Sequence, residues 1–258
     1  MFNDLAGLRV LITGSTKGIG LAAAKAFAAA GAQVGINGHR HDAAHDQLAA
    51  DIAISVGEVA YFGADVTQSA ECEALVAKFV ARFGGIDVLV NNAGGLGGRQ
   101  GLENIDDEFY DQVMNLNARS ALMVTKFAIP HLRQAAKQRG KTSSVISTGS
   151  IAGREGGGPG ASLYAASKAW LHNINRNWVK EFTQDNIRFN VIAPGTIDTV
   201  FHADKSAEVR DKIAGSIAMG RFGTSEELAP SYLFFASHAC SGYITGQILD
   251  VNGGQMAP

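Results

Sequence analysis

Short β-branched runs alternate along the chain with longer stretches whose apolar positions recur every three or four residues. These are the periods of buried strands and of one-sided helices. Arg9–Thr13 reads as a strand, followed by a glycine-rich turn and an Ala-rich helix from Ile19 to about Ala30, which Gly31 stops as a C-cap. Gln33–Asn37 is a second strand, Ala43–Ile54 a helix, and Val59–Phe62 a third strand ending at Gly63-Ala64-Asp65. Ser69–Arg82 is a helix with Leu75, Val76, Phe79 and Val80 as its apolar positions, and Ile86–Val90 a strand running into Asn91-Asn92-Ala93-Gly94. Further on, Asp106–Leu132 is helical in one or two pieces, Ser143–Ser147 a strand and Ser162–Thr183 a long helix. Ile187–Ile192, Ser225–Ser237 and Gln247–Val251 complete the series as strand, helix and strand.

Strand–helix alternation calls for parallel strands joined by crossover helices. The expected fold is α/β, a Rossmann-type doubly wound parallel sheet with helices on both faces. No linker, repeat or charge block interrupts the pattern, so residues 1–258 read as a single domain. Composition adds one anomaly: 31 of the 258 residues are glycine, against a usual share of about 7%. With only 5 prolines and 46% hydrophobic residues the chain is neither disordered nor collagen-like, so the glycines serve turns and close approaches of a ligand to the backbone.

Lys+Arg 22 against Asp+Glu 24 leaves a net charge of −2, which gives no footprint for nucleic acid. No apolar run approaches the ~18 residues of a membrane span. Cys72 and Cys240 lie far apart without a Cys-x-x-Cys spacing, and the N-terminus lacks a basic region before an apolar one. The expectation is a cytoplasmic protein acting on a small molecule.

Gly14, Ser15, Thr16, Lys17, Gly18, Ile19 and Gly20 form the turn between the first strand and the first helix. Glycines there let backbone N–H groups reach a pyrophosphate, and the helix N-terminus adds favourable charge. The spacing Gly-x-x-x-Gly-x-Gly is not a Walker loop, since no Gly-Lys-Ser/Thr follows. Ribose selectivity is read at the end of the second strand, where an acidic side chain would accept the 2′-hydroxyl of NAD. This chain has Asn37-Gly38-His39-Arg40 there, with no carboxylate before Asp42 and with Lys17 as a further cation. NADP(H) is therefore preferred, through charge-assisted bonds to its 2′-phosphate, and NAD(H) is the other possibility. The competing view is that His39 and Arg40 simply open a solvated helix.

Tyr164 and Lys168 stand at i and i+4 on a helix, so both project from one face. A neighbouring ammonium favours phenolate and brings a tyrosine closer to working pH. Ser144–Gly153 leaves a strand and delivers Ser150 to the carboxyl ends of the sheet, where open α/β sheets bind ligands.

With these motifs in order the chain resembles the short-chain dehydrogenase/reductase family along nearly its whole length. The agreeing motifs are T-G-S-T-K-G-I-G at 13–20, Asp65-Val66, N-N-A-G at 91–94, Y-A-A-S-K at 164–168 and P-G-T-I-D-T at 194–199. The resemblance implies hydride exchange between a nicotinamide dinucleotide and a carbonyl/alcohol pair, with Ser150, Tyr164 and Lys168 as the catalytic trio. Asn117 would complete the trio by holding a water in a proton relay. It further implies that Asp65 and Val66 meet the adenine and that Asn91, Ala93 and Gly94 line the cofactor cleft. Pro194 and Gly195 would border the cofactor, Ile197 would hold the carboxamide and Thr199 would close over the diphosphate. The loop before Tyr164 is about one residue longer than in many relatives, which leaves Ser147 as an alternative to Ser150. Family members commonly form homotetramers through the catalytic helix and the C-terminal segment, here Gly242–Gly254. Trp170, Trp178 and Phe182 on that helix fit either such an interface or a protomer core.

Substrate choice falls to residues of about 95–101, 151–163 and 197–222, the last with a lid helix. Arg99, Arg154, His202 and Lys205 are the cations these loops offer, which points to a sugar, polyol or sugar acid. The second reading is a 3-oxoacyl-[acyl-carrier-protein] reductase. The turn Thr183-Gln184-Asp185-Asn186 offers an acidic carrier no cation, although Arg133–Lys141 is basic. A third reading is a dinucleotide-binding regulator without chemistry, against which the full set Ser150, Tyr164, Lys168 and Asn117 argues. His41 and His45, four apart and flanked by Asp42 and Asp46, lack a third ligand at metal-binding spacing, so no metal site is expected.

Overall fold

The computed structural model describes residues 2–40, 43–53, 58–199 and 206–257. In chain order the main elements are β1 (Arg9–Ile12), α1 (Gly18–Ala29), β2 (Gln33–Gly38), α2 (Ala43–Ala53), β3 (Val59–Gly63), α3 (Ser69–Phe83) and β4 (Val88–Asn91). They continue with α4 (Asp107–Met114), α5 (Ser120–Arg139), β5 (Ser143–Thr148), α6 (Ala152–Glu155), α7 (Ser162–Phe182) and β6 (Ile187–Pro194). The last are α8 (Ala207–Ala214), α9 (Ser225–Ala236), α10 (His238–Ser241) and β7 (Ile248–Val251).

The strands make one parallel sheet in the order β3-β2-β1-β4-β5-β6-β7. Successive side chains of a strand point to opposite faces, and here both faces are apolar. Val10 and Ile12 of β1 join Val88 and Val90 of β4 in one core with Phe27 of α1, Ile52 of α2 and Tyr232 of α9. Leu11 and Leu89 enter the other core with Phe79 of α3, Leu132 of α5 and Trp178 of α7. Burial on both faces is why these strands read as unbroken hydrophobic runs rather than as an alternation.

Trp178 packs inside the chain against Phe189, and Trp170 and Phe182 lean on the same core. The aromatics of α7 are thus largely absorbed within one chain. Strands β2 to β6 all extend further at their carboxyl ends than the sequence pattern indicated, β5 for instance through Thr148. β4 runs through Asn91, opposite Ser147, and β6 runs to Pro194, opposite Val251.

At the amino ends of the strands lies a buried charge centre. Asp87, 1% exposed, accepts from the backbone N of Arg9 at 2.9 Å, Arg9 Nε at 2.7 Å, Arg9 Nη2 at 3.0 Å and Arg139 Nη1 at 2.8 Å. It ties β1 to the end of α5. Burial alone would raise its pKa, but these bonds outweigh it and hold the carboxyl below its usual range. Among the described residues no helix is long and apolar enough to cross a membrane.

Candidate active site

The sheet order reverses between β2-β1 and β4-β5, and at that switch point the carboxyl ends of the strands open a cleft of about 950 Å³. Its floor is the turn from β1 into α1. Gly14 and Gly18 take φ of 60° and 55°, and a Cβ on Gly14 would lie 2.8 Å from Ala93 Cα. Only glycine permits both the left-handed backbone and that approach.

Asn92 locks the turn from the β4 side: its Nδ2 donates to Thr13 O at 3.0 Å and to Gly14 O at 2.8 Å. Thr13 Oγ1 in return accepts from the backbone N of Asn92 and of Ala93. From the β2 side, Asn37 Oδ1 accepts from Gly14 N, while its Nδ2 donates to the carbonyls of Gly38, Phe62 and Ala64. The penultimate residue of β2 is therefore a structural amide, and the strand end carries no ribose-binding carboxylate. Lys17, at the N-cap of α1, makes no side-chain cap bond, so that helix start faces the cleft uncapped. Such a turn suits a pyrophosphate.

At the other end of the cleft, α7 presents Tyr164 and Lys168 one turn apart. Lys168, 3% exposed, donates from Nζ to Thr148 O at 2.8 Å and stands 5.7 Å from the centroid of the Tyr164 ring. Burial pushes its pKa down to about 8. Tyr164 was expected to be acidified by this ammonium. Here burial raises its pKa instead, and the opposing pull comes from a hydrogen bond with Ser150. Burying the phenolate costs more than the Ser150 bond returns.

Ser150 sits just past β5, on a segment tied to β6 by Gly149 N to Ile192 O at 2.7 Å and Ile151 N to Pro194 O at 3.0 Å. Ser147 is instead buried within β5, paired between Asn91 and Val191, and does not line the cleft.

Asn117 lies in a π-helical turn, residues Asn115–Arg119, joining α4 to α5. The widened turn directs its amide to the loop after β4. Oδ1 accepts from Gly95 N at 3.0 Å, and Nδ2 donates to Gly95 O and Val113 O, both at 2.9 Å. A Cβ on Gly94 would lie 2.8 Å from Asn117 Oδ1 and 3.0 Å from Lys168 Nζ, so both side chains converge on that glycine.

Of the residues expected to hold a dinucleotide, Gly14, Thr16, Lys17, Gly18, Ile19, Gly20, His39, Arg40, Asp65, Val66, Ala93, Gly94, Pro194, Gly195, Ile197 and Thr199 line the cleft. Ser15 and Asn91 do not. Ser15 is buried, donating to Ile12 O and accepting from Asn37 N, and Asn91 donates to Thr125 Oγ1 at 2.8 Å. Both brace the walls from behind.

Among the substrate cations, Arg99 lines the mouth and donates from Nη1 to Pro159 O at 2.7 Å. Arg154 is turned to Asp250 at 3.0 Å and does not line the cleft, while His202 and Lys205 lie outside the described residues. Three further residues line the cleft: Asn92, to which the N-N-A-G motif gives no role of its own, Thr148, which the sequence pattern sets beyond its strand, and Gln255, which accepts from Thr196 N at 2.8 Å and has no local sequence signal. His41 also lies outside the described residues, among which no three His, Cys, Asp or Glu side chains cluster as a metal site.

The family model described as enoyl-(acyl carrier protein) reductase matches residues 14–256. A 3-oxoacyl-[acyl-carrier-protein] reductase of Thermotoga maritima is 37% identical over 250 residues, covering 97% of this chain and 98% of the relative. The chain belongs to the short-chain dehydrogenase/reductase family.

As a short-chain dehydrogenase/reductase it is an oxidoreductase acting on CH–OH or keto groups with a nicotinamide dinucleotide, and the reading as a regulator without chemistry falls away. It is also similar to the crystal structure of the NADH-dependent reductase A1-R' responsible for alginate metabolism. The identity is 64%, the TM-score 0.93, and coverage 99% of this chain and 100% of that one. The complex of A1-R' with NAD is 63% identical at a TM-score of 0.91, covering 100% of both chains. A Pseudomonas aeruginosa RhlG/NADP active-site complex is 32% identical at a TM-score of 0.90, covering 98% of both.

Proposed function

We propose that this enzyme reduces the carbonyl group of a small sugar acid and prefers NADPH over NADH. The observation that carries the substrate class is the 64% identity, over the full chain, to a reductase responsible for alginate metabolism. Alginate is a polymer of sugar acids. Arg99 suits such a substrate: one guanidinium nitrogen is engaged with Pro159 O, and its remaining N–H donors stand at the mouth for a carboxylate.

The bound dinucleotide supplies the hydride at nicotinamide C4. Tyr164 gives its phenolic proton to the substrate oxygen, and the Ser150 hydroxyl donates a hydrogen bond to that oxygen, so that charge developing there is met from two sides. The Lys168 ammonium, beside the tyrosine, stabilises the phenolate left behind. Asn117 spends its side-chain amide on Gly95 and Val113 and so holds the Gly95 loop against Lys168. For the cofactor, Lys17, His39 and Arg40 line the cleft beside the β2 terminus, which presents no carboxylate: the amide of Asn37 is spent on the backbone and Gly38 is bare. That set favours a 2′-phosphate, although the relative at 64% is NADH-dependent.

The decisive assay measures kcat/KM on oxidised sugar acids, neutral sugars and polyols, and an acetoacetyl-carrier substrate, each with NADPH and NADH. The reading predicts the highest value for a sugar acid with NADPH, and a loss of about tenfold or more for Arg99→Ala confined to acidic substrates. A higher value on the carrier substrate would overturn it in favour of the activity of the Thermotoga maritima relative. The carrier reading is weakened by the basic stretch before β5, where Arg133 pairs with Asp185 and Arg139 with Asp87 inside the chain. We further propose a cytoplasmic homotetramer, in which the fully exposed Tyr243 and the half-exposed Leu249 of edge strand β7 would be covered. Light scattering tests the assembly.

A further inference from the structure

We infer that Tyr61 is a positioning residue for dinucleotide selectivity, acting through the hydrogen bond from its hydroxyl to the carbonyl of Arg40. The inference rests on the NADPH reading above and adds to it a residue outside the cleft.

Tyr61 lies in β3 opposite Ile36, with Gly63 opposite Gly38, so it stands two residues short of where β2 ends. It is 8% exposed and does not line the cleft. Its hydroxyl nevertheless donates to the carbonyl of Arg40, which lies two residues beyond the last paired position of β2. To get there the side chain passes alongside Gly38: a Cβ on Gly38 would stand 2.8 Å from Tyr61 Oη and 2.9 Å from Thr16 Cγ2. Any larger residue at 38 would push the tyrosine, the phosphate turn or both aside.

The phenol ring is held from the other side by His45 of α2, stacked on it with centroids 4.6 Å apart and planes at 16°. Tyr61 is therefore packed in place, and what it fixes is the backbone of the one segment that brings His39 and Arg40 to the cleft. Both side chains are exposed there, and His39 has only a 3.6 Å approach to Asp65, so contacts of their own do little to orient them. An arginine recognises a phosphate through a directed fork of donors, and a shift of its backbone misaligns that fork. NADH presents no phosphate at this place and is indifferent to it.

The test is steady-state kinetics of wild type, Tyr61→Phe, Arg40→Ala and the double variant, each with NADPH and NADH on one carbonyl substrate. The phenylalanine retains the ring and its stack on His45, and a thermal midpoint for each protein accompanies the kinetics. The expected result is a fall of about tenfold in the NADPH/NADH ratio of kcat/KM for Tyr61→Phe, the factor that corresponds to one lost hydrogen bond. In the Arg40→Ala background the same change moves the ratio by less than about twofold, because the group it acts through is gone. An unchanged ratio in Tyr61→Phe, or an equal drop in both backgrounds, overturns the inference. A wild-type enzyme that prefers NADH overturns the NADPH reading itself, a separate outcome visible before any variant is made.

Discussion

Asn92 makes a sharp test of how this family fold holds its phosphate turn. In Asn92→Ala two bonds vanish, to Thr13 O at 3.0 Å and to Gly14 O at 2.8 Å, and the Oδ1 that accepts from Thr148 Oγ1 goes with them. A net hydrogen bond contributes about 0.5–1.5 kcal/mol, and a buried carbonyl left unpaired costs about 1–3 kcal/mol. Water can reach the half-buried Gly14 but hardly Thr13, 1% exposed, so a total near 2–3 kcal/mol is reasonable. The space is also tight: a Cβ on Gly20 would lie 2.4 Å from Asn92 Nδ2, so the amide is wedged between the turn and α1. Because the freed peptide is the one that shapes the pyrophosphate cradle, much of the cost should appear in binding. The Kd for NADPH, read by fluorescence titration, is expected to rise roughly 10- to 100-fold, equivalent to about 1.4–2.8 kcal/mol. A Kd within twofold of wild type, with only the thermal midpoint lowered, would refute the argument and leave the glycines self-sufficient.

Tyr164→Phe should leave the NADPH Kd within about twofold while turnover falls about 10²- to 10⁴-fold, the usual share of a general acid. Unchanged turnover would remove Tyr164 from the chemistry. Burial lowers the Lys168 pKa to about 8, and Tyr164 is shifted upward, so kcat/KM should fall as pH rises through that value while the phenol stays protonated. Lys168→Arg, charged throughout, should lack that limb at whatever residual rate it has; a limb persisting there assigns it elsewhere. Asp87 has a depressed pKa, so its contribution is fully present above the ordinary carboxylate range and is lost as pH falls through its folded value. Asp87→Ala should destabilise by about 3–5 kcal/mol at pH 7, since two guanidiniums lose their partner, and should flatten the acid limb of stability below about pH 4. Denaturant melts between pH 3 and 7 check both.

The strands and long helices were legible because burial on two faces and on one stripe leaves periods in the sequence, and Leu11, Leu89 and Phe79 obey them. What was misjudged sits at the carboxyl ends of strands. Asn91, Thr148 and Pro194 read as loop residues because a sheet edge that serves a site is polar there, yet their backbones still pair in the ladder. The four-residue helices α6 and α10 are too short to carry a stripe. The motif residues of the site were readable since glycine turns and an i, i+4 pair are local. Asn92 and Gln255 act on partners 78 and 59 positions away, and no local pattern encodes such a bond. Arg154 looked like Arg99 in sequence, and only the approach of Asp250 on β7 separates them.

The Asp87 centre lies at the amino ends of the strands, and every loop that shapes the substrate mouth leaves from the carboxyl ends. Changes to the mouth therefore do not touch the clasp that fixes β1 to α5. For an engineer this separates two tasks: cleft-lining side chains such as Leu96, Arg99 and Glu155 can be varied for new carbonyl compounds, with the glycines at positive φ kept, while Arg9, Asp87 and Arg139 are left alone. Libraries built that way should lose few members to misfolding.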